Sequence, residues 1–143
     1  QQDSQRAPSV FNFFEPDYRL PAANGVQGLF APEFQILTEA TYLSMLNQHD
    51  SLVWSNAADA PSTTTKAPYL DLTRLTTLAE ANDHAGMVQQ VNLLMFYGAM
   101  SSANAQAMVG MLDRLATNKD TAANRAKSLV LLAMATPEFA IQR

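Results

Sequence analysis

The sequence of 143 residues contains no cysteine. It therefore forms no disulfide and offers no thiolate as a metal ligand or as a catalytic nucleophile. Long apolar runs are missing as well. The longest, residues 129–135, is far shorter than the roughly 20 residues that a membrane-spanning helix needs. We expect no membrane span, no cysteine-based metal centre and no thiol chemistry.

Charged residues are scarce. They make up 15% of the sequence, against about 25% in an average soluble domain. The 9 lysines and arginines and the 13 aspartates and glutamates give a formal net charge of −4. A protein that binds phosphate backbones needs clustered lysine and arginine, and the basic residues here are scattered along the chain. We therefore expect no nucleic-acid partner.

The first thirty residues lack a helical pattern. Prolines and glycines interrupt them too often for a helix. They nevertheless contain Phe11, Phe13, Phe14 and Tyr18, whereas disordered tails are poor in aromatic residues. We predict that residues 1–30 form an extended aromatic arm that packs either against the helical domain or against another part of a longer protein.

From residue 31 onward, apolar residues recur at the spacing of helix faces, and no segment alternates as a strand would. The sequence therefore predicts an all-α domain over residues 31–143, a small bundle of four to five main helices. Small polar residues between prolines indicate an exposed loop at 56–68. Residues suited to helix starts precede the predicted helices: Pro32 with Glu33, Asp71, Asn82 or Asp83, Ser101 or Ser102, and Asp120 or Thr121.

The expected helix ends follow from similar local signals. The polar residues at 47–50 predict the end of the first helix. Gly98 is expected to end the third helix, because glycine readily adopts the left-handed conformation found there. Thr136 and Pro137 are expected to begin a last helical turn that carries Phe139.

Four polar residues are the candidates for catalysis or metal binding. The two histidines, His49 and His84, each stand next to an aspartate, and Asp17 and Glu33 each lie beside a proline. A hydrolase or a metal site could use such groups. The alternative, which we favour, is that the histidine–aspartate pairs stabilise helix ends, that Asp17 forms a turn and that Glu33 stabilises the start of a helix.

The sequence contains no G-x-S-x-G nucleophile motif, no phosphate-binding loop, no H-E-x-x-H zinc motif and no calcium loop, and we expect neither a cofactor nor a metal. Arg125 is expected to pair with Asp113 or a carbonyl rather than with an anionic ligand. Six methionines at helical spacing favour core packing over a soft-metal site. They are Met87, Met95, Met100, Met108, Met111 and Met134.

The aromatic residues suggest contacts rather than chemistry. Phe11, Phe13 and Phe14 could stack on sugars, but phenylalanine lacks the polar group that tyrosine and tryptophan bring to wet interfaces. We therefore expect these three rings, with Tyr18, to fill apolar pockets. Trp54 stands beside the predicted loop and is the candidate for an exposed contact.

Several motifs resemble a known family. Residues 9–14 read SVFNFF, followed by PDY at 16–18 and APEFQI at 31–36. Near the other end, TPEF at 136–139 follows Arg125, Leu129 and Leu132 and precedes a final Gln-Arg. Between these two regions stand Leu93-Leu94, Gly98 and Met100-Ser101. Together they resemble the C-terminal part of the bacterial domain-of-unknown-function family numbered eighteen hundred. Glu15 departs from the pattern, since a basic residue is more usual there.

This resemblance implies that the chain is the C-terminal fragment of a longer, mostly helical protein. Members of the family are exported, so the resemblance implies a periplasmic or extracellular location. It implies no catalytic residues, because no activity is established for the family. The missing N-terminal part of the parent is then the expected partner, and apolar surface bared by its absence would favour a homo-oligomer in which the aromatic arm is exchanged.

Two hypotheses about function follow. The one we favour is a non-catalytic structural or interaction module at the C-terminus of a larger exported bacterial protein. The alternative is part of a hydrolase-like enzyme that acts on an envelope or extracellular polymer, for which His49, His84, Asp17 and Glu33 are the available groups. Convergence of at least three of them in one cleft would favour the alternative.

Overall fold

A computed structural model describes residues 15–19, 32, 39–54 and 70–140. These residues form six α-helices and no β-strand, which confirms the all-α prediction. The helices are α1 (Glu39–Trp54), α2 (Thr73–Glu80), α3 (His84–Phe96), α4 (Ser102–Thr117), α5 (Ala122–Met134) and α6 (Pro137–Ala140). Three predicted features lie outside the described residues and stay predictions. They are the aromatic arm with Phe11, Phe13 and Phe14, the start of the first helix with Glu33, and the whole 56–68 loop.

The chain divides into two units, residues 1–45 and 46–143, and α1 runs through the division. The described part of the first unit includes a tight turn, in which the Tyr18 backbone N–H donates a hydrogen bond to the Glu15 carbonyl at 3.1 Å. Asp17 is exposed in this turn and Tyr18 is half-buried. Asp17 therefore has the turn position that its neighbour Pro16 favours.

The prediction that the first helix ends at 47–50 is wrong, since α1 continues to Trp54. The polar residues in that stretch are not a helix end; those at 47, 48, 50 and 51 are exposed on one side of the helix. Leu46, His49 and Val53 recur at helical spacing on the other side, and Val53 is 1% exposed. Burial of Val53 in the core stabilises the extra turn.

Helix starts behave largely as predicted, because capping depends on residues close together in sequence. The side chains of Asp83, Ser101 and Thr121 each accept the backbone N–H three residues later, at 2.9, 3.3 and 3.1 Å. Asp71 lies one residue outside the cap position of α2, which Leu72 occupies. Its carboxylate still accepts the Thr73 N–H at 3.0 Å.

The end of α3 differs from the prediction. Tyr97, not Gly98, is the first residue in the left-handed region, with φ of 54°, and Gly98 follows at 81°. The backbone N–H of Gly98 donates to the Asn92 carbonyl at 3.0 Å and closes the helix end. The Asn92 side chain also accepts the Met100 N–H at 3.0 Å. This helix end therefore holds Tyr97 in a conformation that costs a non-glycine residue free energy.

The core lies in the second unit, where α2 packs on α5 and α3 packs on both α4 and α5. Fully buried alanines, Ala79 in α2 and Ala126 and Ala133 in α5, leave room for these helices to approach closely. The predicted packing role of the six methionines is confirmed, since each lies in this core or packs against it. The largest fully buried side chains are those of Met87, Met108, Leu112, Leu129, Val53 and Val91.

Two helical glycines form a matched pair for a stability test. A Cβ at Gly86 would overlap the Asp83 carboxylate, whereas a Cβ at Gly110 would meet no atom of the described residues within 4 Å. Alanine normally stabilises a helix interior by about 0.5–1 kcal/mol relative to glycine. Gly110→Ala is expected to raise the free energy of unfolding by that amount. Gly86→Ala is expected to lower it by about 1 kcal/mol, because the Asp83 carboxylate must leave its cap position.

Urea denaturation of the two single variants and the unchanged chain measures both shifts. Circular dichroism at low denaturant confirms that each variant is folded before the comparison. A stabilisation by Gly86→Ala equal to that by Gly110→Ala would show that the Asp83 cap contributes nothing.

Candidate functional site

The two histidines lie near opposite ends of α3. His84 is the first residue of α3 and Phe96 the last. The Phe139 ring lies edge-on to His49, with centroids 6.5 Å apart, and 6.3 Å from the Phe96 ring. Residues 84 and 96 differ by 12 positions, which corresponds to about 18 Å along a helix axis. His49 thus lies near the end of α3 and His84 at its start, and no observed contact joins the two side chains.

The sequence predicts that His49 lies at a helix end. This is wrong, because α1 continues beyond it to Trp54. Its ring is half-buried, and Nδ1 is a buried atom with no hydrogen-bond partner among the residues that the structure describes. A buried polar atom without a partner costs free energy. The edge-on contact with Phe139 instead uses the ring as an apolar surface.

His84 belongs to a chain of polar contacts that links three helices. Its Nδ1 lies 2.6 Å from Asp113 Oδ1 of α4, and its Nε2 lies 3.1 Å from a terminal nitrogen of Arg125 in α5. The same Arg125 nitrogen donates to Asn82 Oδ1 at 2.9 Å. A guanidinium has no acceptor atom, so His84 Nε2 must accept from Arg125 while Nδ1 donates to Asp113.

These contacts correct two sequence predictions. Asp83 does stabilise the start of α3, but the neighbouring His84 bridges helices instead of serving the helix end. Arg125 does not pair directly with Asp113, since His84 stands between them. His84 and Arg125 are 8% and 7% exposed. Polar groups buried to that extent need partners, and each supplies one to the other.

The histidine–aspartate pair has one feature of a catalytic centre, since a carboxylate orients the ring through Nδ1. A general base would use Nε2 to take a proton from a nucleophile or a water molecule. Here Nε2 is bonded to the buried Arg125. The arrangement therefore presents no free base to a substrate, and its contacts are those of a structural link between α3, α4 and α5.

The other proposed site residues do not join this cluster in any observed contact. Asp17 lies in the first unit, and Glu33 is outside the described residues. Among the residues that the structure describes, no group of three histidine or acidic side chains could hold a metal ion. Nor is any helix in the described ranges long and apolar enough to cross a membrane.

Trp54 is the one proposed contact residue in α1. It is 40% exposed, and the Lys127 ammonium lies 5.6 Å from the centroid of its ring. This cation–π contact ties the end of α1 to α5. The sequence indicates an exposed tryptophan at this position but not the lysine above it, which stands far along the chain.

An open apolar cleft lies next to this contact. Its volume is about 550 Å³, within the range of about 300–1,000 Å³ that is usual for ligand pockets. The end of α1, the start of α2, the middle of α3 and the end of α5 form its walls. They contribute Leu52, Val53, Leu70, Asp71, Leu72, Arg74, Leu75, Gln90, Val91, Leu94, Met95, Val130 and Met134.

The charged groups of the cleft lie at the start of α2. The hydroxyl of Thr73, and then its backbone N–H, hold the pKa of the Asp71 carboxyl below its ordinary value. Asp71 is therefore ionised at neutral pH and is engaged by Thr73. Arg74 has neither a hydrogen-bond nor an ion-pair partner among the described residues, so its guanidinium remains available at the cleft.

The C-terminal end of α3 also exposes large apolar side chains. Leu93, Leu94 and Tyr97 are 64%, 67% and 83% exposed; we call these three residues the α3 patch. The helical spacing of Val91, Leu94 and Met95 predicts that all three lie on the core face of this helix. For Leu94 this is wrong, because Val91 and Met95 occupy the inward positions and Leu94 lies at the edge of the cleft. The α3 helix contains no charged residue, which is unusual for a helix that faces water.

Comparisons of this chain with protein-family models, with curated proteins and with solved structures found no match. The resemblance described above therefore rests on its motifs alone.

Sequence patterns did not reveal the cleft. Leu52 and Leu70 flank the predicted loop, and each is apolar without belonging to a predicted core face. Arg74 stands within a short helix that carries no other basic residue. The adjacency of Leu93 and Leu94 is no signal either, because the adjacent Met87 and Val88 of the same helix are both buried.

Proposed function

We propose that this chain is a non-catalytic assembly module of a larger exported bacterial protein, and that it joins two copies of that protein through the α3 patch. The parent protein, its preceding N-terminal part as a partner and its periplasmic or extracellular location come from the motif resemblance. One observation supports the pairing of copies: three large apolar side chains are exposed at the end of α3 and directly after it.

The lack of charge on α3 supports a second copy as the occupant. In a two-fold symmetric dimer the same surface meets itself, so every charge at its centre would face a like charge. The chain carries a net charge of −4, which repels copies at most orientations. An uncharged helix avoids this repulsion where the copies meet.

The chemistry of the α3 patch also suits an interface. Leu93 and Leu94 lie in the last turn of α3, and Tyr97 follows the helix directly. Tyrosine is enriched where interfaces form, because its ring is apolar and its hydroxyl tolerates water. Exposed apolar clusters of this kind commonly mark interaction surfaces on soluble proteins.

We expect the mass measured by light scattering to rise with concentration from 15.6 kDa toward twice that value. Combining Leu93→Gln with Tyr97→Asn should weaken the association at least tenfold, as loss of central interface side chains does. Asparagine tolerates the left-handed conformation at position 97, so the double variant keeps the helix end. Leu43→Gln is the control, since Leu43 is 60% exposed on α1.

A mass that stays monomeric at the highest concentration reached would refute pairing through the α3 patch. So would a double variant that associates as strongly as the unchanged chain. A loss of association in Leu43→Gln equal to that in the double variant would show that any exposed leucine contributes, and would also count against the proposal.

A further inference from the structure

The cleft beside the α3 patch has walls of one chemical kind. Ten of its thirteen lining residues are leucine, valine or methionine, and none is aromatic. Flat rings gain from stacking on aromatic walls, which this cleft does not offer. Aliphatic chains need only apolar contact, and methionines such as Met95 and Met134 can adjust to a flexible guest.

The extent of the cleft limits what can occupy it. On α3 it runs from Gln90 to Met95, and on α5 from Val130 to Met134. These stretches correspond to about 8 and 6 Å of helix length. A docked helix anchored through positions i, i+4 and i+7 would need about 10 Å. The space suits a small molecule better than a partner helix.

The charged residues of the cleft add a second requirement for its ligand. Arg74 is the one cation among the lining residues, and it has no partner in the described part of the chain. The nearby Asp71 carboxylate already accepts the Thr73 N–H. A guanidinium binds a carboxylate through two parallel hydrogen bonds. The cleft therefore combines aliphatic walls with one free site for an anion.

We propose that the cleft binds a fatty acid, with the aliphatic chain among the leucine, valine and methionine side chains and the carboxylate on Arg74. This goes beyond the assembly role, because the ligand uses the cleft and not the outer side of α3. Leu94 borders both surfaces, whereas Leu93 and Tyr97 do not line the cleft. The two proposals can therefore fail separately.

Isothermal titration calorimetry with defined probes tests the ligand class. Decanoate, decan-1-ol and decyltrimethylammonium share a chain length and differ in the charge of the head group. Decanoate is expected to bind once per chain and more tightly than the other two. Dodecanoate should bind more tightly still, by about fourfold for each added methylene that is buried. All probes are used below the concentration at which they form micelles.

Paired variants locate the site. Arg74→Gln is expected to weaken decanoate binding about tenfold, the loss of a partly exposed charge-assisted contact, and to leave decan-1-ol binding unchanged. Arg114→Gln is its control, an exposed arginine on α4 outside the cleft. Leu94→Gln should weaken decanoate and decan-1-ol alike. Leu93→Gln is its control, equally exposed but outside the cleft, and it should weaken neither.

Absence of saturable binding by decanoate and dodecanoate would overturn the proposal. Equal affinity for decanoate and decyltrimethylammonium would overturn it too, since that is the behaviour of nonspecific adsorption. Decanoate binding that survives Arg74→Gln unchanged would show that the carboxylate lies elsewhere. The Leu93→Gln variant also serves as a check on assembly, because it should retain the ligand while it associates less.

Discussion

Replacement of Arg125 by methionine is expected to lower the free energy of unfolding by about 3 kcal/mol. Arg125 is 7% exposed, and one of its nitrogens donates to both His84 Nε2 and Asn82 Oδ1. Methionine has a similar length and fills the space, so packing changes little. The main cost is at His84, whose buried Nε2 loses its donor, while the exposed Asn82 can turn to water.

A second basic residue of α5 supplies the control. Lys127 contacts the Trp54 ring at 5.6 Å, and cation–π contacts at partly exposed sites contribute about 0.5–1 kcal/mol. Lys127→Met should therefore cost much less than Arg125→Met in the same urea titration. Equal losses would show that the effect of Arg125 is one of charge on α5 and not of the contacts with His84.

A double-mutant cycle separates the contact from the burial of the guanidinium. With His84→Leu already in place, Arg125→Met should cost at least 1 kcal/mol less than it does alone, because the shared hydrogen bond is already absent. If the two losses simply add, the two side chains do not interact, and the link between α3 and α5 must lie elsewhere.

This link shows where sequence-based prediction stops. His84 contacts partners 29 and 41 residues away along the chain, and nothing local in the sequence joins them. The residue types did suggest that Arg125 needs a polar partner and that Asp113 is a candidate. They could not show that His84 stands between the two, because that depends on how α3, α4 and α5 pack.

Local features were far more predictable. The caps Asp83, Ser101 and Thr121 follow from a side chain and a backbone N–H three residues apart, a distance that the helix itself fixes. The end of α1 does not follow from local sequence, because polar residues on an exposed helix face resemble a helix terminus. Burial of Val53 stabilises the extension of α1 to Trp54, and burial is a property of the tertiary structure.

The cleft was least predictable of all. A cleft exists where neighbouring helices fail to cover apolar residues, so it depends on what is absent from a packed surface rather than on a motif. Leu94 illustrates this, because it is apolar and has the helical spacing of a core residue, and yet it is 67% exposed. Adjacency to Leu93 does not reveal this exposure, because the adjacent Met87 and Val88 of the same helix are both buried.

A second large loss of stability is expected when a side chain at the centre of the core is truncated. Leu112 of α4 is 0% exposed, and truncation of a buried leucine to alanine costs about 2–5 kcal/mol, part of it for the cavity that remains. Met108 lies one helical turn before Leu112 and is buried beside it. Because methionine is flexible and can move into part of the cavity, we expect about 3 kcal/mol for Leu112→Ala rather than the upper limit.

Two further variants test this explanation. Leu43→Ala, at a leucine that is 60% exposed, should change the free energy of unfolding by less than about 0.5 kcal/mol. Leu112→Ala should cost more when Met108 is first replaced by leucine, since a branched side chain cannot extend into the vacated space. A loss at Leu112 no larger than that at Leu43 would contradict the position of α4 in the core. If Leu112→Ala lowers the free energy of unfolding equally with and without Met108→Leu, the side chain at position 108 does not fill the cavity.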